Sequence, residues 1–374
     1  MRRGPTRRGL LAGLAAGLGA AALPRLPLAA ADPIAVGAIR WDAWQAPGAP
    51  TTAAVERSLS PPHYRHRLPF FARIAPDGAV AIDGGTQAVM DQEIALAGEA
   101  GLGFWAFVGY PRESAMSAGL KLYLASARRG ALRFCMLSEL VQWGYARDGG
   151  SAVLDWHLEL LRHPDCQRVA GGRPHYLLGF LSDRLVAERW GGVEALRAAV
   201  DRFRARAVAS GAGDPYLVLL GRPEPAARFA AALGADALGA YALNGAEAAA
   251  PYAALAGLAE RHWDEFAATG FGVLPTVMSG WDRRPRIEHP VPWEAWQRPG
   301  AGLDRFYEAP RPEELSAPLR RCLDWIEAHP RAATARAALV YAWNENDEGG
   351  WLVPTLPFDT SRLDAVRRVL RAPR

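Results

Sequence analysis

Cysteine is scarce in this chain: Cys135, Cys166 and Cys322 are the only three in 374 residues, and they stand far apart. That is too few and too scattered for a disulfide scaffold or for a zinc site built on paired spacings. Cys135, inside an apolar run, reads as a small core residue. No glycine-rich turn follows an early strand, so the usual mark of a dinucleotide-binding sheet is missing. No Ser, Cys or Lys stands in a nucleophile motif. His63 and His66 lack a further ligand nearby, and the tract Asn344 to Glu348 lacks the alternating spacing of a calcium loop. Neither a metal nor another cofactor is therefore expected. After residue 31 there is no apolar run long enough to span a membrane and no concentrated basic patch to recommend nucleic acid as a partner.

What is present begins with a leader. Thr6-Arg7-Arg8-Gly9-Leu10-Leu11 resembles a twin-arginine export motif; an Ala/Leu/Gly run follows, and Ala29, Ala30 and Ala31 offer a small-residue cleavage site before Asp32. Taking its five arginines from the 43 Lys+Arg leaves 38 against 39 Asp+Glu, a formal charge near −1, so the basic balance of the whole chain is a leader effect. The expectation is a signal peptide over residues 1–31 and one domain over 32–374. Export through the twin-arginine machinery would bring that domain to the periplasm or the exterior, with no membrane attachment after cleavage.

Half the residues are hydrophobic, enough for a sizeable core. Eight short apolar runs recur: Ile34 to Ile39, Gly103 to Val108, Leu132 to Leu137, Tyr176 to Leu181, Tyr216 to Leu220, Leu238 to Leu243, Phe271 to Val277 and Ala337 to Ala342. Continuous rather than alternating apolarity predicts strands buried on both faces. Helix-like intervals follow most of them, at 87–99, 114–129, 152–161, 193–209, 224–233, 251–268, 312–328 and 360–370. Strand and helix alternating eight times predicts an α/β protein with a single (β/α)8 barrel. Its longest loops would follow the first strand, Trp41 to Thr86, and the seventh, Trp281 to Arg311. A doubly wound open sheet is the competing architecture.

In such a barrel the functional groups come from the C-terminal ends of the strands. Those ends supply Trp41, Asp42 and Trp44, then Tyr110, Glu139 and Asp183, and finally Trp281, Asp282 and Arg283. After the eighth come Trp343, Asn344, Glu345, Glu348 and Trp351. Aromatic faces with carboxylates between them suit a carbohydrate, whose C–H faces stack on rings while its hydroxyls need planar acceptors and donors. A structural reading stands beside the functional one: Trp41 equally suits core packing, and Asp42 and Asp183 suit helix capping or pairing with arginine. Glu345 and Glu348 are the expected catalytic pair. On a helical turn, residues at i and i+3 place their Cβ atoms about 5–6 Å apart, near the roughly 5–5.5 Å carboxyl separation of retaining glycosidases.

The Asn344-Glu345-x-x-Glu348-Gly349 pattern resembles the W-N-E-W-x-E-G signature of glycoside hydrolase family 99 and its looser relatives. Trp41-Asp42-Ala43-Trp44, Arg67-Leu68-Pro69-Phe70-Phe71, Met90-Asp91-Gln92-Glu93-Ile94 and the stretch Ala100 to Phe107 look like the opening half of such domains. The resemblance implies a (β/α)8 barrel that cleaves α-linked mannose or related glycans from within, with retention. It implies that Glu345, ionised, is the base on the sugar 2-hydroxyl, that Glu348, protonated, is the general acid/base, and that Asn344 holds a sugar hydroxyl. The chain departs from the pattern at Asn346, where the family has an aromatic, and at Asp347, a third acid. The two-carboxylate chemistry carries over; mannan specificity does not follow. A non-catalytic carbohydrate-binding protein and a polysaccharide-assembly glycosyltransferase partner are the alternative readings.

Overall fold

The computed structural model describes residues 33–143, 152–169, 171–298 and 300–372. The expected leader, 1–31, lies outside them.

Among the described residues fourteen strands occur in chain order: β1 (Ala35–Arg40), β2 (Ala72–Ile74), β3 (Val80–Ile82), β4 (Phe104–Gly109), β5 (Arg133–Glu139), β6 (Arg168–Val169), β7 (Arg173–Gly179), β8 (Tyr216–Leu220), β9 (Ala237–Gly239), β10 (Gly272–Leu274), β11 (Thr276–Met278), β12 (Ala337–Tyr341), β13 (Asn344–Glu345) and β14 (Gly350–Trp351). Nine of them form one parallel sheet in the order β10-β9-β8-β7-β5-β4-β1-β12-β11, with β6 added antiparallel to β7. The two ends of that series, β10 and β11, are halves of one strand interrupted at Pro275. Proline has no N–H for the ladder. The first half pairs with β9 and the second with β12, while the Pro275 carbonyl accepts from the Leu339 N–H at 2.9 Å. The sheet therefore curls into a nearly closed (β/α)8 barrel, as the eight apolar runs predict.

Helices α2 (Gln87–Glu99), α3 (Ala118–Ala125), α4 (Ala152–Leu161), α6 (Val193–Ala209), α7 (Pro223–Leu233), α8 (Tyr252–Ala268), α10 (Ser316–Ala328) and α11 (Ser361–Leu370) follow the strands in turn. Local chemistry sets their ends. The Thr86 hydroxyl accepts from the Val89 N–H to start α2. α7 opens on Pro223 and stops at Gly234, whose φ of 66° is left-handed. The sequence pattern does not reveal α1 (Pro50–Leu59), α5 (Asp183–Trp190) or α9 (Arg284–Glu288). α1 and the β2–β3 hairpin build the long loop after β1, and α9 lies in the one after β11. The sixth run ends as strand at Gly239, sooner than its apolarity suggests. The Ala240 carbonyl beyond it accepts from the Thr276 hydroxyl at 2.6 Å rather than from a ladder N–H. Among the described residues, no helix is long and apolar enough to cross a membrane.

Candidate active site

The tract after β12 folds back on itself. β13 pairs antiparallel with β14 through a single 3-10 turn, Asn346–Glu348, closed by Gly349 at φ 84°. A side chain is excluded at the two glycines: a Cβ on Gly349 would stand 2.5 Å from the Asp282 nitrogen, and one on Gly350 would stand 2.5 Å from the Tyr341 ring. That close approach turns Glu345 and Glu348 toward the same space.

Both carboxylates meet one guanidinium. Arg286, from α9, donates to Glu345 at 3.1 Å, to Glu348 at 2.5 Å and to both oxygens of Asp347 at 2.8 and 2.9 Å. It also donates to Glu294 at 3.1 Å, and its plane lies 5.1 Å from the Trp41 ring. Arg283 pairs with Glu294 and stands 3.2 Å from Glu348. Tyr241 donates to Glu345 at 2.6 Å, and Tyr341 donates to Glu348. Burial disfavours the charged guanidinium of Arg286, yet Asp347, Glu348 and Glu345 outweigh it and hold the group charged.

Four acids share two arginines here, and the surplus appears on Glu345. Burial first, and then repulsion from Glu348, push its carboxyl up to about 8 against the pull of Arg286. The partnership of the two is unequal: Glu348 faces two arginines, while Glu345, whose carboxyl is pushed up, shares one of them with Asp347.

The pair opens on a cavity of about 650 Å³ at the C-terminal end of the barrel. Of the expected residues, Trp41, Tyr110, Glu139, Trp281 and Arg283 line it together with Glu345 and Glu348. Tyr110 accepts from the Trp41 indole N–H at 2.8 Å. Glu139, half-buried at the end of β5, is raised by burial. Trp293 and Trp296 add aromatic faces from the long loop after β11.

The other expected contacts sit elsewhere. Asn344 clamps backbone: its side chain accepts from the Trp41 N–H at 2.8 Å and donates to the Trp41 carbonyl at 2.7 Å, fixing the exit of β1 instead of meeting the cavity. Trp343 is fully buried and donates to Glu93 at 2.8 Å. Trp44 is buried against Phe71, and Trp351 lies between the Arg67 and Arg362 guanidinium groups. Asp42 pairs with Arg40 at 2.7 Å beneath the site. Asp282 is held by Arg67 and Arg284, and Asp183 opens α5 and pairs with Arg228 at 2.7 Å. Asn344, Trp343, Asp42, Asp282 and Asp183 thus have their charge or hydrogen-bonding atoms committed to the protein, while the Trp351 indole N–H is buried without a partner.

Three participants escaped the sequence reading. Arg286 and Glu294 lie in an irregular arginine-rich, proline-rich segment with no motif spacing. Tyr241 could have been found, since it lies within the sixth apolar run, two residues past the end of β9. Among the described residues no cluster of three or more His, Cys, Asp or Glu side chains could hold a metal ion, and all three cysteines are free and buried.

No protein-family model matches the chain, and no curated protein matches it. Solved structures do. Two structures of the GH99 endo-alpha-mannosidase from Bacteroides thetaiotaomicron, one in complex with bis-tris propane, superpose with a TM-score of 0.52 each. Their identities are 12% and 14%; in each case 90% of this chain is covered, against 96% and 98% of the other. At such identity the likeness is one of fold, a (β/α)8 barrel that extends over nearly the whole of both chains.

Proposed function

We propose that this protein is an exported retaining glycoside hydrolase of the family 99-like kind, acting on an α-linked polysaccharide or oligosaccharide. The observation that carries the reading is the pair Glu345 and Glu348, two carboxylates on one guanidinium at the mouth of an aromatic cavity, with Glu345 titrating near 8. Acid/base cleavage needs one proton held between two acids at working pH. Neighbours that share one cation suit the roughly 5–5.5 Å separation of a retaining pair better than the roughly 6.5–9.5 Å gap that admits water in an inverting one.

In this reading Glu345 takes the proton of the sugar 2-hydroxyl, whose oxygen attacks the anomeric carbon as the glycosidic bond breaks. Glu348 protonates the leaving oxygen and then deprotonates the water that opens the 1,2-anhydro intermediate. As that ring opens, Glu345 returns its proton to the sugar O2. The raised Glu345 carboxyl supports a second order, with Glu345 as proton donor and Glu348 as its partner. Trp41, Trp281 and Trp293 offer faces to the sugar ring; Glu139 and Tyr110 face its hydroxyls.

The test is incubation of the mature protein and its Glu345→Gln and Glu348→Gln variants with α-mannans, α-glucans and bacterial exopolysaccharides. New reducing ends from the parent and none from either variant are expected, with the first anomer retained by NMR. Tight glycan binding without cleavage, unchanged in both variants, would establish a binding protein instead. Aryl glycosides with acidic leaving groups separate the two orders, because only the variant lacking the proton donor regains turnover on them.

A further inference from the structure

Beyond the carboxylate cavity lies a second one of about 550 Å³, built on the ends of β7, β8 and β9. The two share Phe180, Tyr241, Ala242 and Asn244 as a common wall. Phe180 is the exposed aromatic of that wall: half of its surface is open to solvent, where a phenylalanine gains nothing for the core. Its backbone has φ 61°, a left-handed conformation that bulky residues rarely adopt, so the chain holds the ring at this place against its own preference. The ring stands 5.2 Å from that of Tyr241, the tyrosine that donates to Glu345. Across the wall, Arg222 is exposed and its guanidinium has no partner among the described residues; Leu220 and Phe229 supply apolar surface around it.

We propose that Phe180 is a stacking platform between two glycan subsites, and that the chain of sugars crosses it from the carboxylate cavity into the cavity headed by Arg222. The inference rests on the glycosidase reading and deepens it. A flat apolar ring presented to solvent beside a planar, unpaired donor matches a sugar with one C–H face and several hydroxyls. With sugar bound in both cavities, affinity grows with the length of the oligosaccharide.

Calorimetric titration of the full mature protein carrying Glu348→Gln, which binds without turnover, tests this with α-mannan and α-glucan oligosaccharides of increasing length. For at least one series affinity rises about tenfold or more from short to long members. Adding Phe180→Ala or Arg222→Ala abolishes that gain while the shortest members bind as before. Arg222 is exposed, so its variant keeps the test valid if the Phe180 variant fails to fold. Length-independent binding, or a length gain that survives both substitutions, overturns the second subsite and leaves the hydrolase reading intact when the parent still cleaves. Length-dependent binding lost on substitution, with no cleavage by the parent, keeps the subsite and removes the hydrolase. Absence of binding to either series overturns the proposal.

Discussion

Two buried arginine clusters lie one above the other near the end of the barrel, and they differ in what they face. The lower one joins Arg40 to Asp42 at 2.7 Å and to Glu93 at 2.9 Å, with the guanidinium 4.3 Å from the Trp105 ring. The upper one joins Arg286 and Arg283 to Glu345, Asp347, Glu348 and Glu294. Each has more acids than arginines, and each perturbs a carboxyl. Burial lifts Asp42 to about 6 against the pull of Arg40, as burial lifts Glu345 to about 8. The upper cluster opens to a cavity, whereas Arg40, Asp42 and Glu93 are buried. A shifted carboxyl is therefore no sufficient mark of function; the mark is a shifted carboxyl that a ligand can reach.

The sharpest way to break the comparison is to neutralise one acid in each cluster. Glu345→Gln or Glu348→Gln is expected to lower turnover by about 10²–10⁴-fold with folding retained, measured as reducing ends released per folded molecule. Asp42→Asn should leave turnover within a few-fold; an equal loss would place both clusters in the chemistry.

Next in size is the effect on stability. Arg40→Met strands Asp42 and Glu93 in the core and should cost about 3–5 kcal/mol, read as a lower urea midpoint. The same change at Arg286 should cost less, because the cavity lets water reach the acids it abandons.

The pH dependence separates the clusters further. Both raised acids bind their proton more tightly in the fold than in the unfolded chain, so their contribution is full below the ordinary value and lost as pH rises through the folded one. For Asp42 that window runs from 3.8 to about 6, and for Glu345 from 4.5 to about 8. Urea midpoints should fall with pH across both windows. Glu345→Gln should flatten the part between 6 and 8, and Asp42→Asn only the part below 6. A slope between 6 and 8 that persists in Glu345→Gln would show that the proton sits elsewhere.

The smallest effect is expected at the rim. Trp296, 70% exposed, should change stability by no more than about 0.5 kcal/mol on substitution by alanine, while weakening glycan binding.

The barrel was legible because strands buried on both faces leave unbroken apolar runs, and each of the eight runs overlaps a strand, the sixth only at its start. Glu345 and Glu348 were legible because charge directly after such a run is rare. Burial direction was not. Trp343 and Trp351 flank the pair in sequence, yet the tight turn points them into the protein, and only contacts more than two hundred residues away, such as Glu93 for Trp343, decide it. Asp183 follows a strand but lies away from the carboxylate pair; it opens α5, pairs with Arg228 and lines the second cavity. Arg286 left no trace in sequence, since an arginine among arginines carries no periodicity and its partners lie some sixty positions downstream.

The break at Pro275 bears on how this molecule behaves in company. Where a curled sheet ends on two separate strands, each end offers a row of free peptide groups on which a second copy can build. Here the two ends are a single strand, one half covering β9 and the other β12. The joint itself has no N–H to offer, and its carbonyl is already taken by Leu339. The seam is closed to edge-to-edge association.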